Sequence, residues 1–140
     1  MVYSKSSYSR LELVMLFKEN NPPRLFEVGN AKKFNLRDCG LMKLENDEQI
    51  TFITNSGSEY DVAKKNWGFY ATPSLNGRLE SFNLRSVIIV NKITRRFFLL
   101  LIERGKEESF KNYCNQESLE VVIWLDNSEN CEKLYSKLKK

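Results

Sequence analysis

Histidine is absent from this 140-residue chain, and cysteine, proline and glycine are scarce, with three, three and six residues. Without histidine there is no Ser-His-Asp or Cys-His catalysis, no histidine-ligated metal and no histidine pH switch. Glycine-rich phosphate loops and the G-x-S-x-G nucleophile motif are missing as well. The sequence therefore predicts neither a metal nor a cofactor, and no catalytic constellation can be read from it.

The cellular compartment follows from two further shortages. The cysteines, Cys39, Cys114 and Cys131, are odd in number, far apart and without a C-x-x-C motif, which predicts free thiols rather than a disulfide framework. The longest apolar run, 97–102, is far shorter than the roughly 20 residues of a membrane span. The apolar stretch 11–17 is short and contains an acidic residue, which argues against a signal peptide. We therefore expect a cytoplasmic protein without membrane contact.

Charge of either sign is moderate, with 22 basic and 18 acidic residues and a net charge of +4. Domains that bind duplex nucleic acid usually concentrate their basic residues in one stripe. We therefore do not expect duplex nucleic acid as a partner. A small polar ligand or a partner protein remains, and the composition does not determine the oligomeric state.

The N-terminal residues allow two interpretations. Residues 1–8 are polar and serine-rich, and we expect a flexible arm that precedes a single domain over 9–140. Ser9 and Glu12 match an S-x-x-E capping box, which predicts a helix over 10–19. Apolar residues alternate in the same stretch, however, and this pattern equally fits a strand.

The rest of the chain predicts an α+β fold. Short alternating runs separated by closely spaced turns indicate a meander over 41–63. The apolar segments 86–90 and 97–102 predict a central hairpin buried on both faces. Apolar residues at three- and four-residue spacing predict a helix over 106–116, and a strand and a second helix follow. We expect one domain with a mainly antiparallel sheet of about six to eight strands, two C-terminal helices and an N-terminal helix. The sequence does not distinguish an open sheet from a barrel-like one.

The segment most suited to binding is rich in aromatic and amide residues. It reads KKNWGFYATPSLNGRL over positions 64–79. In a strand, Trp67 and Tyr70 point to opposite faces, so one ring is expected at the surface. Asn76 and Arg78 follow a proline-containing loop and offer hydrogen-bond donors to a polar ligand. Trp67, Tyr70, Asn76 and Arg78 are therefore the candidate ligand-binding residues, although a core strand followed by a turn explains the same pattern.

A second candidate is the basic cluster formed by Lys92, Arg95 and Arg96 between the two most apolar segments. Such a cluster at a hairpin turn protects sheet edges from unwanted pairing. It also suits contacts with the phosphates of a nucleic acid or a nucleotide sugar. Both interpretations remain open from the sequence.

Part of the chain resembles known proteins. The strings YDVAKKNWGFYATPSLNGRL, LLLIERGKEESFKNY and VVIWLD are similar to small bacterial proteins, without an assigned activity, that are associated with surface-polysaccharide biosynthesis. The resemblance covers roughly residues 41–126 and transfers no site residues. It implies a cytoplasmic role connected with activated sugars.

Three functions are compatible with this sequence. The first is a non-catalytic binding or accessory domain for a sugar, a sugar nucleotide or a biosynthetic partner protein. The second is a single-stranded nucleic-acid-binding domain, because aromatic residues and lysines together suit base stacking and phosphate contacts. The third is a metal-independent enzyme that uses Asp, Glu, Tyr or Lys.

Overall fold

The computed structural model describes residues 15–29 and 32–139, and this part of the chain contains eight strands and three helices. It divides into two compact units. One unit comprises the described residues up to Ile50 together with Val62–Tyr70, and the other comprises Thr51–Asp61 and the residues from Ala71 on. The elements in chain order are β1 (Leu16–Val28), β2 (Phe34–Lys43), β3 (Gln49–Ile53), β4 (Glu59–Lys65), β5 (Gly68–Tyr70), α1 (Arg78–Ser81), β6 (Leu84–Asn91), β7 (Phe97–Glu103), α2 (Glu107–Glu117), β8 (Leu119–Trp124) and α3 (Ser128–Leu138).

β1 and β2 form a long antiparallel hairpin whose side chains are mostly exposed. Its register shifts between Glu19 and Arg24, and Pro22 and Pro23 lie inside this bulge. Because proline has no amide hydrogen, a bulge accommodates it where a regular ladder would lose a hydrogen bond. Beyond the bulge, Arg24 forms an ion pair with Asp38 at 2.8 Å.

The helix predicted over 10–19 is wrong where the structure describes it, because Leu16–Glu19 lie in β1. The alternating apolar pattern prevails over the capping box, since pairing with β2 satisfies the backbone of this segment. Residues 10–14 and the arm predicted over 1–8 lie outside the described residues.

The second sheet has the strand order β3-β4-β5 and contains only the later part of the predicted meander, since residues 41–43 belong to β2 and pair with β1. The β3–β4 turn closes with a hydrogen bond from the amide of Thr54 to the carbonyl of Ser58. β5 pairs antiparallel with β4, with Gly68 opposite Lys65, so only Asn66 and Trp67 lie in the turn between them.

The third sheet has the order β7-β6-β8, and both neighbours run antiparallel to β6. Six of the eight residues of β6 are buried. The predicted hairpin, the helix after it and the strand after that are all present. The core lies between this sheet and α2 and consists of Val87, Ile89, Ile102, Phe110 and Cys114.

The burial predicted for both strands of this hairpin holds only for β6. β7 is an edge strand, and Phe97, Phe98 and Leu99 are 60%, 46% and 48% exposed. The reason is topological: β8 pairs with the free side of β6, which leaves β7 at the border.

The fold class is α+β as expected, with roughly eight strands and two C-terminal helices. The strands of the described residues form three antiparallel sheets of two, three and three strands, rather than one sheet. Periodicity identifies a strand but not its partner, which is why the sequence did not show this division. The segment between β5 and β6, which includes the proline-containing loop, also contains the one-turn helix α1. None of the described helices is both long and apolar enough to cross a membrane.

Candidate functional site

Trp67 and Tyr70 lie together in the first unit. Their ring centroids are 5.3 Å apart and the planes meet at 73°, an edge-to-face contact. The two residues are 63% and 59% exposed. The expectation that they point to opposite faces is wrong, because Trp67 lies in the turn before β5, where strand alternation does not apply.

Other residues extend this exposed pair into an aromatic patch, defined here as Trp67, Phe69 and Tyr70. Phe69 is exposed, and the ammonium of Lys64 lies 5.9 Å from its ring centroid. Lys65 forms an ion pair with Asp47, and this hydrogen bond raises the pKa of Lys65. The patch therefore combines open ring surfaces with one lysine that has no carboxylate partner among the described residues.

Asn76 and Arg78 belong to the second unit and have structural partners there. The Asn76 amide donates to the Ser128 hydroxyl at 3.2 Å. Arg78 begins α1, lies 2.7 Å from a carboxylate oxygen of Asp61 and stacks over Phe82 at 5.2 Å. Its guanidinium is thus already engaged with an anion, unlike the free loop arginine expected from the sequence.

The basic cluster occupies the β6–β7 turn. The Asn91 side chain accepts hydrogen bonds from the amides of Ile93 and Thr94, which fixes this turn. Lys92, Arg95 and Arg96 are exposed, and the described residues provide no ion pair for any of them. The cluster is therefore free to meet an external anion.

A concave site that the sequence did not indicate lies between α2 and β8. This groove has a volume of about 390 Å³. Apolar side chains form its floor and charged or amide side chains form its rim. Its lining comprises Arg85, Glu107, Glu108, Phe110, Lys111, Cys114, Asn115, Leu119, Val121 and Trp124.

Arg85 organises this groove. Its guanidinium carbon lies 4.0 Å from the centroid of the Trp124 ring, close enough for a cation–π contact. The same group donates to Asp126 at 2.7 Å and to Glu107 at 3.4 Å. The hydrogen bond to Asp126 is the main cause that raises the pKa of Arg85. Burial alone would raise the pKa of Asp126, but Arg85 reverses this and the pKa is lowered.

The groove can hold a small molecule that presents an apolar face to the floor and polar groups to the rim. The Trp124 ring meets Phe110 edge-on with centroids 5.9 Å apart, which fixes the floor. Lys111 and Asn115 stand one helical turn apart on α2 and are exposed. The sequence signal that could have revealed this site is Arg85, the one charged residue of β6.

A smaller cavity of about 220 Å³ adjoins the end of β7. Glu103 lies on its wall and accepts hydrogen bonds from the hydroxyls of Thr54 and Ser56, while Lys106 lies 3.2 Å away. The hydroxyl of Ser56, followed by that of Thr54, lowers the pKa of Glu103 to about 2. This carboxylate is therefore an anion near neutral pH and is held by its neighbours, which suits a structural role.

Within residues 15–29 and 32–139, no three or more Asp, Glu or Cys side chains are grouped to hold a metal ion. No protein-family model, no curated protein and no solved structure matches this chain.

Proposed function

We propose that this chain is a non-catalytic binding domain that holds a sugar residue in the groove between α2 and β8. The observation that carries the proposal is the combination of an aromatic floor at Trp124 with a rim of charged and amide side chains. Sugars present C–H faces that pack on aromatic rings and hydroxyls that pair with such rims. The resemblance of residues 41–126 to proteins of surface-polysaccharide biosynthesis supports the same ligand class.

The charges of the rim favour an uncharged ligand over a sugar nucleotide. Arg85 is already paired with Asp126 and Glu107. Of the remaining charged side chains in the lining, Lys111 carries one positive charge and Glu108 one negative charge, and these charges balance. A diphosphate would meet the carboxylates of Glu107 and Glu108 as well as the cations Arg85 and Lys111, so the lining offers it no net positive charge. A neutral sugar meets no such penalty and can use both signs as hydrogen-bond partners.

The two tryptophans of the chain allow a direct test, because only Trp124 lines the groove. In a Trp67→Phe variant, the fluorescence of Trp124 is the only tryptophan signal. Titration with glucose and N-acetylglucosamine should give a saturable change for at least one of them, whereas the anionic glucuronic acid should bind more weakly. Asn115→Ala should weaken that binding about tenfold, the effect of one lost hydrogen bond of about 1.4 kcal/mol.

The matched control is Gln116→Ala, the neighbouring exposed residue, which does not line the groove. It should leave the affinity unchanged. Titrations that stay linear with every sugar, or a loss of affinity shared equally by both variants, would contradict the proposal. Chromatography of the sugar after incubation distinguishes binding from the alternative of a metal-independent enzyme, since a binding domain returns it unchanged.

A second candidate function is single-stranded nucleic-acid binding at the aromatic patch, favoured by its three exposed rings beside Lys64. In a Trp124→Phe variant, oligothymidylate should then quench the fluorescence of Trp67, and added salt should reverse the quenching. Tyr70→Ala should weaken binding, whereas Tyr135→Ala, an exposed tyrosine on α3, should not. Fluorescence that oligothymidylate leaves unaltered at low salt would eliminate this function.

A further inference from the structure

The turn between β6 and β7 carries exposed apolar side chains among its basic residues. We define the hairpin tip as residues 92–97, which read KITRRF. Ile93 is the most exposed of the large apolar residues that the structure describes, at 78%, and Phe97 is 60% exposed. Leu99, on the same face of β7 as Phe97, is 48% exposed and extends this apolar surface. The hairpin tip therefore presents apolar side chains to solvent rather than to a core.

The cations of the hairpin tip have no counterion within the hairpin. Lys92, Arg95 and Arg96 are exposed, and none of them forms an ion pair with another described residue. Positions 86–102 also contain no aspartate or glutamate. Because these positive charges lie beside an exposed apolar surface, the hairpin tip is complementary to a partner that is anionic and apolar at once.

The backbone of this turn is already hydrogen-bonded. All five amides from Asn91 to Arg95 have acceptors inside the protein. These acceptors are the Asn91 side chain and the carbonyls of Asn91, Arg96 and Ser118. Amides without an acceptor are costly to bring into the apolar part of a bilayer, so this turn can enter it at small cost. For the same reason these five amides are not free to cradle a single phosphate group.

We infer that the hairpin tip binds reversibly to the surface of an anionic phospholipid bilayer. Ile93 and Phe97 enter the boundary between headgroups and acyl chains, and the three cations lie against lipid phosphates. None of the described helices is able to cross a membrane, so this is a contact at the bilayer surface. We expected no membrane contact from the lack of a spanning segment, which a surface contact does not require. The contact uses none of the residues that line the groove, so it is separate from sugar binding.

Ile93 favours a bilayer over a nucleic acid, which also pairs with lysine and arginine. A single-stranded nucleic acid stacks its bases on aromatic rings, and an aliphatic side chain between cations offers no such platform. In a bilayer the same side chain leaves water, which is favourable in proportion to the apolar area that is buried. The most exposed apolar side chain of the described residues thus gains a function in one complex and none in the other.

Vesicle sedimentation tests the contact with the full chain. The protein should sediment with vesicles of equimolar phosphatidylcholine and phosphatidylglycerol, and should stay in solution with phosphatidylcholine alone. Rising salt should release it, because the anionic surface is screened. Arg95→Gln and Arg96→Gln should each weaken the binding about fivefold, the usual effect of one basic residue at such a surface. Ile93→Ser should weaken it about tenfold through lost apolar burial.

Two variants of α3 are the matched controls. Lys137→Gln removes an exposed lysine that has no ion pair among the described residues, and Leu138→Ser removes a leucine that is 72% exposed. Both should bind vesicles as the wild type does, and circular dichroism verifies that every variant is folded. Equal losses in the tip and control variants, or binding that does not require phosphatidylglycerol, would overturn the inference. Absence of binding to either vesicle at low salt would also overturn it.

A fluorescent label reports directly on insertion. In a Cys39→Ser, Cys131→Ser background the remaining Cys114 is buried, so Ile93→Cys can be labelled with a polarity-sensitive dye. Its emission should shift to the blue on addition of the anionic vesicles, whereas a label at Leu138→Cys should not respond. Unshifted emission at position 93 would contradict insertion. Oligothymidylate binding that is lost in Arg95→Gln but kept in Ile93→Ser, without vesicle binding, would assign the cations to nucleic acid and refute the bilayer contact.

Discussion

The guanidinium of Arg78 lies 2.7 Å from Oδ2 of Asp61, whose side chain is only 9% exposed. The other oxygen of this carboxylate accepts a hydrogen bond from the hydroxyl of Thr51 at 2.7 Å. The pair therefore connects the start of α1 to β4, and Arg78 holds a buried anion. The sequence suggested that Arg78 is a free donor to a ligand. In the structure its guanidinium is instead engaged by Asp61.

Removal of Arg78 should therefore destabilise the fold. We expect Arg78→Ala to lower the free energy of unfolding by about 1–3 kcal/mol, because Asp61 remains buried without its cation. Arg96→Ala, an exposed arginine of the β6–β7 turn, should change it by less than about 0.5 kcal/mol. Urea denaturation measures both. Equal stability of the two variants would show that the ion pair contributes nothing.

Stability should fall in acid because of Glu103. Its pKa is about 2 in the folded protein, against 4.5 for an unperturbed glutamate, so the folded state binds fewer protons than the unfolded state between these values. The stabilisation is complete above pH 4.5 and is lost as the pH falls towards 2. Glu103→Gln should flatten the stability profile in this window, with Ser56→Ala intermediate. Profiles that coincide for wild type and Glu103→Gln would contradict this assignment.

Ile89 should be among the most costly residues to truncate. It is fully buried in the central strand and belongs to the core against α2. Ile89→Ala should lower the free energy of unfolding by about 2–5 kcal/mol through the cavity that it leaves. Ile93→Ala, in the exposed β6–β7 turn, is the control and should have little effect. A mild effect at Ile89, measured by thermal or urea unfolding, would mean that the core is elsewhere.

The single domain predicted over 9–140 stays a prediction, and the two tryptophans can test it. Trp67 belongs to one compact unit and Trp124 to the other. If the chain unfolds as one cooperative domain, Trp67→Phe and Trp124→Phe variants should show urea midpoints that track the far-ultraviolet circular dichroism of the same variant. Fluorescence that changes well before circular dichroism in either variant would show separate unfolding of the two units.

The part of the fold that the sequence predicted correctly depends on local patterns. The β3–β4 hairpin, the β6–β7 hairpin, α2 and β8 each follow from periodicity or turn residues within a few positions. The N-terminal helix was wrong because a capping box is a local signal, whereas the backbone of Leu16–Glu19 is satisfied by β2. The division into three sheets depends on which strands meet, and no pattern within one strand contains that information.

The site could be predicted only in part, for the same reason. The sequence predicted that one of the rings of Trp67 and Tyr70 lies at the surface, and both are exposed. The contact between the two rings could not be predicted, because it depends on the two-residue turn before β5. The groove depends on Arg85, Lys111 and Trp124, which lie far apart in sequence and meet only after α2 packs on β8.

The topology of the third sheet also sets an order of folding events. β6 and β7 meet through a short turn that the Asn91 side chain closes, so their loop-closure cost is small. β8 reaches the other side of β6 only after the whole of α2, a contact of much larger sequence separation. We therefore expect pulse-labelling hydrogen exchange to protect the amides of the hairpin before the Trp124 fluorescence reaches its native value during refolding. The groove would then be the last part of the sheet to assemble, since β8 forms one of its walls.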